Sequence, residues 1–138
     1  MKYITAIVLM AVLVLAYGCA QKAIPESQYP AADEKAENIL QGISKEDYAM
    51  LSRDLSETLK QSTDAEYFSR LSKFIKENSG EYVSKSLAAS KDENSMHTRG
   101  YDCQFSMESV YFTITFNADY SKVEGIYFDS ENMRKALE

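Results

Sequence analysis

Tryptophan is absent from this 138-residue chain, histidine occurs once, cysteine and proline twice each, and glycine five times. The single histidine, His97, excludes two-histidine metal sites and leaves a Ser–His–acid triad one candidate base. Two cysteines, Cys19 and Cys103, cannot build the disulfide framework of a small secreted scaffold. Cys-x-x-Cys pairs, Gly-rich phosphate loops, Ser-x-x-Lys and EF-hand spacings are missing, so no motif calls for a metal or a cofactor. Fifteen basic residues face 21 acidic ones, a net charge of −6, and no basic cluster is present. That balance disfavours nucleic acid as a partner, because phosphate contacts need grouped Lys and Arg.

What the chain does have is concentrated at its start. Fifteen of the first 18 residues are apolar, and Lys2 is the one charge among them. The uncharged run Ile4–Tyr17 is 14 residues long. As a helix it would span roughly 21 Å, short of the ~30 Å hydrocarbon core. Such a run fits a cleaved leader better than a permanent span. It ends in Leu15-Ala16-Tyr17-Gly18-Cys19, which resembles the lipobox of prokaryotic lipoproteins, with a small residue directly before a cysteine. Ala16 and Tyr17 depart from that pattern. The resemblance implies removal of residues 1–18 and a diacylglyceryl group on Cys19, whose two chains suffice for stable anchoring. It places the protein on the extracytoplasmic face of a cell membrane, or in an outer membrane if the cell has one. An uncleaved anchor and an ordinary signal peptide are the alternatives. Residues 19–32 carry both prolines, Pro25 and Pro30, without helical or strand period, and read as a flexible tether with a reach of about 40 Å.

Residues 33–138 read as one α+β domain, helices first and antiparallel strands second. Ala36, Ile39, Leu40 and Ile43 form one helical stripe, with Gly42 weakening its end. Ser44 with Asp47 and Thr63 with Glu66 have capping-box spacing. Tyr48, Leu51, Leu55 and Leu59 continue an apolar face, with a break near Ser52–Asp54. The helix after Thr63 carries Tyr67, Phe68, Leu71, Phe74 and Ile75 on one side and ends at Gly80. A weak edge strand follows over Tyr82–Ala88, then a polar loop over Ala89–Thr98, then alternation at Tyr101, Cys103 and Phe105. Val110–Phe116 is the strongest strand, with Val110, Phe112, Ile114 and Phe116 facing one way. In Val123–Phe128 a bulge at Gly125 would return Val123, Ile126 and Phe128 to one face. Asp129–Glu138 is a short helix or tail. The expected core is Ile39, Leu40, Leu51, Leu55, Leu71, Phe74, Val110, Phe112, Ile114, Phe116, Ile126 and Phe128.

The helical block Ala36–Asn78, the Gly80-Glu81-Tyr82 entry, the Phe105…Val110–Phe116 hairpin and the closing Val123–Phe128 together resemble domains of the nuclear-transport-factor-two-like (cystatin-like) superfamily. The resemblance implies a curved antiparallel sheet wrapped around helices, a cone enclosing a pocket. Related cones host isomerase or dehydratase sites built from buried Asp, His and Tyr, but no catalytic motif transfers to this chain. Tyr101 and Tyr111 are the candidate ligand-binding residues, among sheet tyrosines that include Tyr82 and Tyr127. His97 reads as a loop residue and Cys103 as a buried thiol. Asp102, Glu108, Asp119, Glu124 and Asp129 read as a solvated face. These features favour a membrane-anchored binding or interaction module for an unidentified protein or small molecule. A small isomerase- or dehydratase-like enzyme, a small-ligand receptor and a structural envelope lipoprotein are the alternatives.

Overall fold

A computed structural model of the chain describes residues 29–138; the leader, Cys19 and most of the tether lie outside the described residues. The elements run α1 (Tyr29–Lys45), α2 (Tyr48–Ser52), α3 (Glu57–Ser62), α4 (Ala65–Ser79), β1 (Tyr82–Glu93), β2 (Met96–Phe105), β3 (Ser109–Phe116), β4 (Val123–Asp129) and α5 (Glu131–Ala136). The four strands form one antiparallel sheet in the order β1-β2-β3-β4.

Helix α1 starts at Tyr29, four residues before the expected Asp33, and Ala32 is already buried. Pro30 sits in its first turn, where a missing N–H costs nothing. Gly42 does not weaken the helix end but lets α2 approach. A Cβ there would meet the Leu51 backbone nitrogen at 2.9 Å. The helix closes through the positive φ of Glu46 and the Asp47 N–H donating to the Gly42 carbonyl at 2.9 Å. The caps fall differently from the expected boxes. Asp47, rather than Ser44, receives the Met50 N–H, and Asp64, rather than Thr63, receives that of Tyr67. Thr63 is buried instead, its carbonyl accepting from Tyr48 Oη at 2.9 Å. The break after Ser52 lets Leu55 pair in parallel with Val123, tying the helical layer to β4. Gly80 ends α4 at φ 86° and ψ −152°, a region essentially open to glycine alone.

Residues 89–98 are not a loop. β1 and β2 continue through them to a two-residue turn at Asn94-Ser95, both at positive φ as such hairpins require. His97 therefore stands in β2, paired with Asp92 and Phe116. Extra residues in β1 at Val83 and Ala88, and in β4 before Gly125, shift the register and bend the sheet. The β4 shift puts Val123, Ile126 and Phe128 opposite Phe116, Ile114 and Phe112, the one-face arrangement the Gly125 bulge predicted.

The helices pack on one sheet face. Phe112, Ile114, Phe116, Tyr101, Cys103 and Phe105 are all buried beneath them. Of the twelve expected core residues, eight are buried, and Leu71, Phe74, Ile126 and Phe128 are only half-buried against that core.

Candidate functional site

The two candidate tyrosines lie on opposite faces. Tyr101 is 1% exposed, pairs with Phe112 and stacks on it at 6.3 Å. Tyr111 pairs with Asp102 on the outer face, 37% exposed, its ring lying over Gly100 so closely that a Cβ there would sit 2.0 Å from Oη. The sheet therefore brings neither to the other. Tyr82 points inward and Tyr127 stays exposed.

Two polar clusters occupy the inner face instead. At the α1–β1 seam, Lys85 donates to Asp33 at 2.8 Å and to Glu37 at 3.4 Å, and its ammonium lies 5.3 Å from the Tyr101 ring centre. Tyr82 Oη donates to Glu37 at 2.7 Å. Burial opposes the Glu37 charge, but hydrogen bonds from Gln41 and Tyr82 and the Lys85 ammonium hold its pKa below the ordinary 4.5. Burial and the Glu37 carboxylate push the Tyr82 phenol upward. Cys103 is buried, as expected, and that burial raises its thiol to about 12.

The second cluster holds the tip of the β1–β2 hairpin. Arg99 is 1% exposed; its guanidinium donates to Asp92 at 2.9 Å, to the Thr98 carbonyl at 2.8 Å and to Tyr120 Oη. His97 Nδ1 lies 2.8 Å from Asp92, Nε2 lies 3.1 Å from the Ala118 carbonyl, and the ring stacks on Tyr120 at 4.2 Å. Burial raises the Asp92 pKa, but its hydrogen bonds from His97 and Arg99 outweigh that and lower it. Both ring nitrogens of His97 are thus occupied by the protein. The cluster fastens the hairpin to the β3–β4 loop. Among the described residues no group of three or more His, Cys, Asp or Glu could hold a metal ion.

The open space lies elsewhere, between α3, α4, β4 and α5. A cleft of about 430 Å³ is floored by Leu59, Leu71, Phe74, Ile126, Phe128 and Met133. Four of these are the expected core residues that remain half-buried, so their exposure is explained by the cleft they line. On α4 the most buried line is Phe68, Ser72, Ile75 and Ser79. The helix is therefore turned so that its Leu71–Phe74 side faces the cleft. Tyr67 and Tyr127 are at its rim, 45% and 61% exposed. Its charged residues are Asp129 and Arg134, 3.3 Å apart. The volume falls within the range of small-molecule sites, and the floor is largely apolar. Spacing revealed the apolar stripes but not that α5 stops short of covering them.

No protein-family model matches the sequence, and no curated protein matches it. Among solved structures the chain is similar to an NTF2-like protein of unknown function from Cytophaga hutchinsonii, at 12% identity and a TM-score of 0.40, over 78% of this chain and 95% of that one. It is similar also to a SnoaL-like protein of unknown function from Burkholderia thailandensis, at 8% identity and a TM-score of 0.40, over 78% of this chain and 100% of that one. Both are of unknown function, so no site residue or substrate comes across from them.

Proposed function

We propose that this chain is a binding module of nuclear-transport-factor-two-like architecture, displayed outside the cell membrane through a lipid on Cys19. In this reading its domain takes an apolar small molecule in the cleft along β4. The observation that carries it is the 430 Å³ cleft with half-buried Leu71, Phe74, Ile126 and Phe128 in its floor. Four large side chains left partly wet in a small domain forgo about 25 cal/mol for each Å² they expose, and a ligand would recover that. The cleft's one carboxylate, Asp129, is paired with Arg134. The anchor rests on the leader and Gly18-Cys19, and no helix among the described residues is long and apolar enough to cross a membrane.

Leu71→Trp tests the cleft. The larger ring fills the space from a side chain that already faces it, and urea unfolding of the variant checks that the fold is kept. In an amide-shift NMR titration, 1-octanol should bind the wild-type domain and bind the variant at least about tenfold more weakly. Equal binding would move the site elsewhere, and no binding to the wild type at millimolar alcohol would overturn the reading. For the anchor, mass spectrometry of protein extracted from membranes should show an N-terminus at Cys19 carrying a lipid adduct. A full-length, membrane-bound Cys19→Ser form would point to an uncleaved anchor.

A further inference from the structure

The charges of the cleft sit at one end. β4 starts beside the α2–α3 loop, where the Ser56 N–H donates to the Val123 carbonyl at 2.8 Å, and ends at Asp129, next to α5. From Leu59 to Phe128 the lining is uncharged, with Ser62 and Thr63 its small polar members, and the charged pair Asp129–Arg134 belongs to the α5 end. Arg134 is the one cation lining the cleft. Its Nε is committed, donating to the Ser130 carbonyl at 3.2 Å and facing Asp129 Oδ1 at 3.3 Å. These two contacts turn the Nε edge of the guanidinium inward. The η nitrogens have no protein partner among the described residues. The neighbouring lysine does not compete, since Lys135 is bound to Glu131 at 2.5 Å.

A largely apolar floor with an oriented guanidinium and spare donors at one end matches one ligand chemistry. We propose that the cleft takes a carboxylate-headed amphiphile, its tail along β4 and its head on the η nitrogens of Arg134. This rests on the cleft being the binding site. Two N–H groups of one planar fork meet the two oxygens of a carboxylate in parallel, which an alcohol or a point charge cannot match. The net charge of −6 opposes an approaching anion only weakly, because charges beyond about 8 Å are screened at physiological ionic strength. Asp129 neutralises part of the guanidinium charge, and the Arg134 side chain is 67% exposed, so the preference is modest.

The experiment compares octanoate with 1-octanol, equal in chain length, by amide-shift titration of the wild type, Arg134→Gln and Leu71→Trp. Octanoate should bind the wild type about three- to tenfold more tightly than octanol. Arg134→Gln should erase that preference by weakening octanoate more than octanol, while Leu71→Trp should weaken both. Adding 0.5 M salt should narrow the octanoate preference in the wild type alone. If both compounds bind equally and Arg134→Gln changes neither, the carboxylate proposal falls and the cleft reading stands. If neither binds, the cleft reading itself falls.

Discussion

Replacing Phe112 by alanine is expected to cost the domain about 3–5 kcal/mol, the usual range for removing a fully buried aromatic ring. Phe112 is 0% exposed in the middle of β3. Its ring is stacked between those of Phe128 on β4 at 4.7 Å and Tyr101 on β2 at 6.3 Å, so three strands lose a contact at once. The gap cannot close from the sheet side, because the backbone partners on both flanks are held by the ladder. A domain of this size has about 5–15 kcal/mol in hand. Urea unfolding should therefore show a midpoint lower by roughly 2 M with an unchanged slope. Tyr111→Ala is the internal comparison. That side chain is one residue away, on the other face and 37% exposed, and should cost about 1 kcal/mol or less. Equal losses at the two positions would mean that the face assignment of β3 is wrong.

That assignment was legible because β3 alternates strictly, with β-branched and aromatic residues throughout. The β4 bulge, which falls on Glu124 beside the expected Gly125, was legible for a related reason: only one extra residue returns Val123, Ile126 and Phe128 to a common face. The β1–β2 hairpin was not. Its turn, Asn94-Ser95, lacks the glycine that marks such turns, and β1 is exposed along nearly its whole length, so it carries no apolar alternation. Arg99 was hidden by the same segment. It shares the inward register of Tyr101, Cys103 and Phe105, yet a cation at an inward position looks like the end of a strand. Its burial is made tolerable by the adjacent Thr98 carbonyl and by Asp92 and Tyr120, which meet it only after the hairpin and the β3–β4 loop fold together. The cleft was the least visible element. Leu71, Phe74, Ile126 and Phe128 announce an apolar face, and periodicity does not say what covers such a face.

Glu108 gives the second large effect, and it reverses the expectation of a solvated turn acid. Its Oε1 accepts from Ser79 Oγ and Ser130 Oγ, each at 2.5 Å, and its Oε2 from the Asn132 N–H at 3.1 Å. The two serines are buried, at 0% and 4% exposure. One carboxylate thus joins the end of α4, the β2–β3 turn and the start of α5, where its charge also suits the helix dipole. Hydrogen bonds to a charged group contribute about 1.5–3 kcal/mol each, and the two serines share one oxygen, so Glu108→Ala should cost about 2–4 kcal/mol in all. Burial alone would raise the Glu108 pKa, but the bonds from Ser130, Ser79 and Asn132, with Lys135 nearby, hold it below the ordinary 4.5. A carboxylate whose pKa is lower folded than unfolded stabilises the fold fully above the unfolded value. It loses that contribution as pH falls through the folded one. Wild-type stability should therefore decline from about pH 5 downward more steeply than that of Glu108→Gln, which cannot titrate there. The two curves should be furthest apart near neutral pH and converge in acid. Parallel curves would show that Glu108 is as solvated as its neighbours in sequence suggest. Convergence accompanied by loss of amide protection in α5 before α4 would identify the C-terminal helix as the part that this carboxylate holds in place.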